Sequence, residues 1–247
     1  MNMKKWYKAA EERCSIRKYS APPTDYEITQ LIMLAEQISG NGIRIEVMRE
    51  EDVFSTGLIK QVITGTDCFA AIIEKNTAQP FMTGYIGEAF VLECTLLGLG
   101  TCWLGASYKR SAVLSKIDLS EDEKLRCIIS IGRSGQEFSR RKRKNLRQLM
   151  KPDSEDFDRE IAQMAPWQLA AIKCAQIAPT AINAQPFMLE VLENSVCVMN
   201  TGWNFGYGMV DCGIAMLHIE AGAAFDGVFG KWVMKDNVMR FESISED

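Results

Sequence analysis

A single histidine, His218, is present in 247 residues, and that scarcity excludes more chemistry than it suggests. A Ser-His-Asp or Cys-His centre, or any histidine-containing metal cluster, would have to use it. It lies in the apolar helical pattern Gly213-Ile-Ala-Met-Leu-His-Ile-Glu-Ala, where a satisfied core histidine is the simpler reading. Cys-x-x-Cys pairs are also missing. The eight cysteines, at 14, 68, 94, 102, 127, 174, 197 and 212, sit in apolar stretches and read as reduced core residues of a cytoplasmic protein. Excess positive charge is lacking too: at a net charge of −4 the whole molecule is no electrostatic nucleic-acid binder. The start, Met1 to Ala9, has no apolar h-region, so no secretory leader is expected. No uninterrupted apolar run reaches the roughly 18 residues of a membrane span, and none is expected.

What is present is an ordinary globular composition, long enough for one large domain or two small ones. Helices are predicted at Lys4–Glu12, at Tyr26–Ser39 behind a Thr24…Glu27 cap, and at Gly84–Leu97 before Gly98. Strands are predicted at Ile43–Met48, Cys68–Glu74 and Arg126–Ile131. The polar, acidic stretch Lys151–Asp158 is the candidate linker between a first half, 1–150, and a second, 159–247. The second half shows the same order of parts: helix Pro166–Ile177, strands Phe187–Leu192 and Val196–Asn200, helix Val210–Phe225, then Gly227 and another strand. Gly84, Gly98 and Trp103 are 14 and 5 residues apart, and Gly213, Gly227 and Trp232 repeat both spacings. An internal duplication follows as an expectation.

Three segments carry the functional case, each with a plainer alternative. In Arg13-Cys14-Ser15-Ile16-Arg17, two guanidinium forks and a hydroxyl can converge on one phosphate or polar oxygen; a solvated basic surface is the alternative. In Gly98-Leu-Gly100-Thr101-Cys-Trp103-Leu104-Gly105, glycines allow backbone N–H groups to approach a planar ligand; the alternative is a helix-to-strand turn with a core tryptophan. In Pro179-Thr180-Ala-Ile-Asn183-Ala-Gln185-Pro186-Phe187, two amides offer paired donors and acceptors to a heterocycle edge; the alternative is an ordinary loop. The basic run Arg140–Lys144 is by default a solvated face, or else an anchor for a cofactor phosphate.

These segments together resemble the nitroreductase family. Arg13-x-Ser15-x-Arg17 resembles its N-terminal Arg-x-Ser-x-Arg/Lys signature, and Gly98-Leu-Gly-Thr-Cys-Trp its Gly-Leu-Gly-Thr/Ser-x-Trp turn. Pro179-Thr-x-x-Asn183-x-Gln185-Pro186-Phe187 resembles its Pro-Ser-x-x-Asn-x-Gln-Pro-Trp loop, and Arg141-Lys-Arg143-Lys-Asn-Leu its late basic pair. Thr180 departs from serine and Phe187 from tryptophan, and Cys14 stands where a larger residue is common. A typical member is a homodimer whose sites take the basic signature from one chain and the loop from the other. Here the first half has only Ser39-Gly-Asn-Gly42 at the loop position, and Gln163–Gln168 shows no basic signature. The losses are complementary, so the chain is similar to tandem, single-chain members: a fused pseudo-dimer retaining one site.

That resemblance implies an α+β nitroreductase-like fold, two related halves each with a mostly antiparallel sheet flanked by helices, and one FMN. Arg13, Ser15, Arg17, Arg141 and Arg143 would hold the phosphate and ribityl chain. Gly100, Thr101, Trp103, Leu104 and Gly105, with Cys14 nearby, would lie along the isoalloxazine and give an N–H to N5. Pro179, Thr180, Asn183 and Gln185 would close the site. The implied activity is hydride transfer from NADH or NADPH, a transient donor, to a small-molecule acceptor such as a nitroaromatic or quinone, with no catalytic side chain and no metal. A flavin- or nucleotide-binding module without turnover and a purely structural protein are the alternatives. No nucleic-acid or membrane partner is expected, and further self-association of the monomeric pseudo-dimer is left open.

Overall fold

The computed structural model describes residues 3–55, 62–150, 157–235 and 238–244. In chain order these form α1 (Met3–Glu12), β1 (Tyr19–Ala21), α2 (Asp25–Ile38), β2 (Ile43–Arg49), β3 (Cys68–Lys75) and α3 (Pro80–Leu96). Next come β4 (Gly100–Leu104), α4 (Arg110–Leu114), β5 (Glu123–Ser134), α5 (Leu146–Leu149), α6 (Phe157–Gln163) and α7 (Pro166–Gln176). The chain continues with β6 (Phe187–Leu192), β7 (Ser195–Asn200), α8 (Gly208–Phe225), β8 (Gly230–Lys235) and β9 (Val238–Ser243). Of the expected linker, only Phe157 and Asp158 lie among the described residues, and they open α6.

Two compact units result: Arg13–Arg140, and Arg141–Asp247 together with Met1–Glu12. The expected halves had their border at 151–158 and kept the first helix in the first half. The reason for the difference is apolar burial. Helix α1 buries Trp6, Ala9 and Ala10 and packs on α8 of the second of these units.

The Arg13–Arg140 unit is built around β3, whose residues from Cys68 to Glu74 are all buried. Such a strand reads as an uninterrupted apolar run because both its faces are covered. Its neighbour β2 alternates buried with half-buried positions, as a strand with one wet face does. The sheet runs β2-β3-β5 with β4 on the far side of β5, all antiparallel, and β1 meets the end of β5. Thr24 caps α2 as predicted: its Oγ1 accepts the Glu27 N–H at 3.3 Å, and Glu27 Oε2 accepts the Thr24 N–H at 2.8 Å. Gly98, at φ +75°, ends α3; its N–H reaches Thr95 O and the Leu99 N–H reaches Cys94 O, each at 2.9 Å. That left-handed step is costly for any residue with a Cβ.

The other unit has a four-stranded antiparallel sheet in the order β6-β7-β9-β8, with α7, α8 and α1 packed together. Its strand order, taken from its first strand, repeats the order β2-β3-β5-β4. The glycine–tryptophan spacing also has a structural counterpart. Gly227 follows α8 at φ +83° as Gly98 follows α3. Trp232 on β8 donates from Nε1 to Glu220 Oε2 of α8 at 3.0 Å, while Trp103 on β4 donates from Nε1 to Glu88 Oε2 of α3 at 2.8 Å. Helix α8 is long and apolar enough to cross a membrane, but 83% of it is buried inside the protein, as the core helix of this unit. His218 is fully buried there, with Nδ1 at 3.0 Å from the Cys174 carbonyl, in keeping with a core role.

Candidate functional site

In the Arg13–Arg140 unit, the basic signature and the glycine turn lie side by side. Ser15 bridges Thr101 in a parallel pairing, and the Ile16 N–H donates to Thr101 O at 2.9 Å. Gly100 makes this approach feasible, since a Cβ there would stand 2.6 Å from Ile16 Cγ1. The glycine therefore serves contact with the signature segment, where the sequence suggested contact with a ligand. The segment is pinned again further along. The N–H groups of Arg17 and Lys18 donate to Gln136 Oε1 at 3.0 and 3.2 Å, and the buried Tyr19 hydroxyl meets Ser130 Oγ at 2.8 Å.

Arg13 is 3% exposed, and its Nε lies 3.8 Å from Glu88 Oε1. Among the described residues, neither its Nε nor its Nη1 finds a hydrogen-bond partner, and neither does Oγ1 of Thr101, which is 1% exposed. Buried polar atoms without partners are rare and costly, so this corner is chemically incomplete without an acceptor. Ser15 and Arg17 are half-buried beside it. Trp103 is held by its bond to Glu88 and lies on Gly87, where a Cβ would stand 2.3 Å from the indole Cη2. The side chains of Cys14 and Leu104 belong to the apolar core, leaving only their backbone groups to offer. Gly105 is exposed at the end of β4.

In the other unit, the loop and the basic run come together. Arg143 donates from Nη1 to Asn183 Oδ1 and from Nη2 to the Ile177 carbonyl, the latter at 3.3 Å. Asn183 Nδ2 donates to Lys142 O at 3.1 Å. Gln185, 2% exposed, accepts the Lys144 N–H on Oε1 at 2.9 Å and donates from Nε2 to Asn183 O at 3.2 Å. Thr180 Oγ1 accepts the Gln185 N–H at 3.0 Å, and Pro179 is buried. Arg141 is exposed. The amides expected to face a heterocycle thus hold the basic run in place.

Sequence reasoning missed three contributors. Glu88 ties Trp103 and Arg13 to α3. Asp211 accepts the Ala181 N–H at 2.9 Å, and Asn204 donates from Nδ2 to both Asp211 Oδ2 and Ala181 O, at 2.5 and 3.1 Å. The available signal was a lone carboxylate inside an apolar helix, Glu88 in Ile86–Leu92 and Asp211 in Met209–Leu217. Burial pushes the Asp211 carboxyl up to about 7, against the lowering effect of its hydrogen bonds to Ala181 and Asn204. Burial also pushes the thiols of Cys68, Cys127 and Cys212 up to about 12, so these cysteines are poor nucleophiles at neutral pH.

The family model described as "Putative TM nitroreductase" matches residues 5–223. A solved structure of a putative nitroreductase from Thermotoga maritima is 18% identical, with a TM-score of 0.67, covering 98% of this chain and 94% of that one. An FMN-dependent nitroreductase from Clostridium difficile is 17% identical, with a TM-score of 0.43 over 64% of this chain and 96% of its own. A putative NADH oxidase from Clostridium acetobutylicum is 19% identical, with a TM-score of 0.44 over 57% and 96%. No curated protein matches the sequence. With the family match spanning most of its length, the chain belongs to the nitroreductase family.

Proposed function

We propose that this protein is an FMN-dependent oxidoreductase of nitroreductase type, taking reducing equivalents from NADH or NADPH and passing them to a nitroaromatic or quinone-like acceptor. The observation that carries this reading is the buried, incomplete corner of Arg13 and Thr101. The Arg13 guanidinium, whose Nε and Nη1 have no hydrogen-bond partner among the described residues, and the Thr101 hydroxyl, which also has none there, fit an oxygen-rich anionic or polar ligand, and FMN offers phosphate, ribityl and carbonyl oxygens. When bound, FMN supplies the two-electron chemistry, accepting and releasing hydride at N5.

The protein's own residues bind and orient. Arg13 and Thr101 donate to ligand oxygens, with Ser15 and Arg17 half-exposed beside them. Alternation along β4 turns the backbone of Trp103 to the same edge as that of Thr101, which offers a main-chain donor next to the corner. No side chain need serve as general acid or base, and the one histidine is occupied in the core.

The test is direct. Purified protein should carry flavin absorbance, and NADH or NADPH should bleach it anaerobically, with acceptors restoring the colour. Protein that takes up FMN but is not bleached would leave a flavin-binding module without turnover. Protein that takes up no FMN would leave a structural role.

A further inference from the structure

Arg17 combines a fully engaged backbone with an uncommitted charge. Residues 16–18 lie in no helix or strand, and such segments usually leave backbone groups to water. Here both backbone groups of Arg17 and both of Lys18 find protein partners. The Arg17 and Lys18 N–H groups converge on Gln136 Oε1 at 3.0 and 3.2 Å. The Thr64 N–H donates to the Arg17 carbonyl at 3.0 Å, and the Gly135 N–H to the Lys18 carbonyl at 2.9 Å. One residue on, the Tyr19 N–H returns to Thr64 O at 2.8 Å. That approach depends on Gly65, at φ +82°, where a Cβ would stand 2.0 Å from Tyr19 O. Among the described residues, no hydrogen bond or ion pair reaches the Arg17 guanidinium.

The Thr64 and Gly135 anchors are backbone groups, which almost any sequence could supply. Gln136 is the one side chain in the frame. Its amide oxygen has two lone pairs, enough for two successive N–H groups. Its own place is set by the turn beyond β5: the Gln136 N–H donates to Ser134 Oγ at 3.3 Å, and that hydroxyl donates to the Gln136 carbonyl at 2.7 Å. Strand β5 also pairs with β4, which carries Thr101, so one strand supports both Thr101 and Arg17. The whole frame lies within the Arg13–Arg140 unit. Folding does not require the amide. Lys18 is exposed and Arg17 half-buried, so water can accept from both N–H groups at little cost. Water cannot, however, hold the Arg17 Cα–Cβ bond in one direction.

Resting on the FMN reading above, we infer that Gln136 is a positioning residue for cofactor binding: by accepting the N–H groups of Arg17 and Lys18 it aims the Arg17 guanidinium at a ligand oxygen, without touching the ligand itself. A backbone fixed beforehand removes part of the ordering cost from binding, and four flexible side-chain torsions are then all that remains to be ordered.

A double-mutant cycle tests this. Apo-protein is titrated with FMN, following flavin fluorescence, in the parent, Gln136→Met, Arg17→Ala and the double variant, each beside a melting curve. Methionine keeps the length of the side chain and removes the oxygen. Gln136→Met should weaken FMN about three- to tenfold with little change in melting temperature. Once Arg17 is already alanine, the same substitution should cost less than about twofold, because its effect travels through that side chain. Gln136→Glu, which keeps an oxygen for both N–H groups, should bind FMN within about twofold of the parent. Equal losses from Gln136→Met in both backgrounds would overturn the proposal, since Gln136 would then meet the ligand or support the fold at large. A loss in Gln136→Glu as large as in Gln136→Met would overturn it too, as would parental affinity in Gln136→Met. If Gln136→Met does not fold, Gln136→Ala serves the same cycle. A parent that binds no FMN would remove the FMN reading itself, and this inference with it, whereas a parent that binds FMN alongside an uncoupled Gln136 would remove this inference alone.

Discussion

Glu88 reaches two partners at once: Oε2 accepts the Trp103 indole N–H at 2.8 Å, and Oε1 lies 3.8 Å from Arg13 Nε. All of this happens at a carboxylate with no exposed side-chain surface. Removing it leaves a guanidinium buried without its countercharge, a class of change that costs about 3–5 kcal/mol. Glu88→Ala should therefore lower stability by that order in a urea melt. Glu88→Gln should cost less, because the amide oxygen still accepts from the indole. Equal losses, or none, would mean that Arg13 draws its compensation from elsewhere.

Arg17 is half-buried, and its backbone is already pinned by Gln136. Arg17→Ala should thus spare the fold and act on the ligand. Hydrogen bonds to charged groups are worth about 1.5–3 kcal/mol, so FMN affinity should fall about ten- to a hundredfold with little change in melting temperature. Unchanged affinity would take Arg17 out of the site.

One FMN per chain is expected. The Arg-x-Ser-x-Arg signature occurs once, at 13–17, and the Pro-Thr-x-x-Asn-x-Gln loop once, at 179–185. Heat release of the flavin, quantified by fluorescence against protein, gives the ratio. Two equivalents would show that Ser39–Gly42 still acts as a loop and that no site has been lost.

Asp211 should make stability depend on pH in a defined direction. Its carboxyl sits at about 7 in the folded chain and near about 3.9 when unfolded. Between roughly pH 4 and 7 the unfolded chain gives up a proton that the folded chain keeps. Rising pH therefore lowers stability across that window, and the loss levels off above it. Asp211→Asn should melt progressively better, relative to the parent, from pH 5 to pH 8. A difference that stays constant with pH would mean that Asp211 is ionised throughout.

Much of the fold was legible because it rests on local rules. The capping box at Thr24 and Glu27, the glycine stops at 98 and 227, and the core strand Cys68–Lys75 follow from propensity, handedness and apolar periodicity. Strand β9 and the short helices α4, α5 and α6 were not expected, since pieces this short carry little periodic signal. Helix α1 was recognised, but its place was not: an amphipathic helix declares which face it buries and not which partner covers it.

The sequence by itself determined which residue types are available, hence a protein with one core histidine, reduced cysteines and the motifs of a nitroreductase. Only the tertiary structure decided what those motifs do to one another. The glycine at position 100 is required by Ile16, and the amides of Asn183 and Gln185 turn back onto Arg143 and Lys144. Glu88 joins Arg13 to Trp103. The physical reason is that a hydrogen-bond donor or acceptor is defined by its chemistry, whereas its partner is set by long-range packing. A sequence spells out the first for every residue, and the second exists only once segments far apart in the chain are brought within about 3 Å.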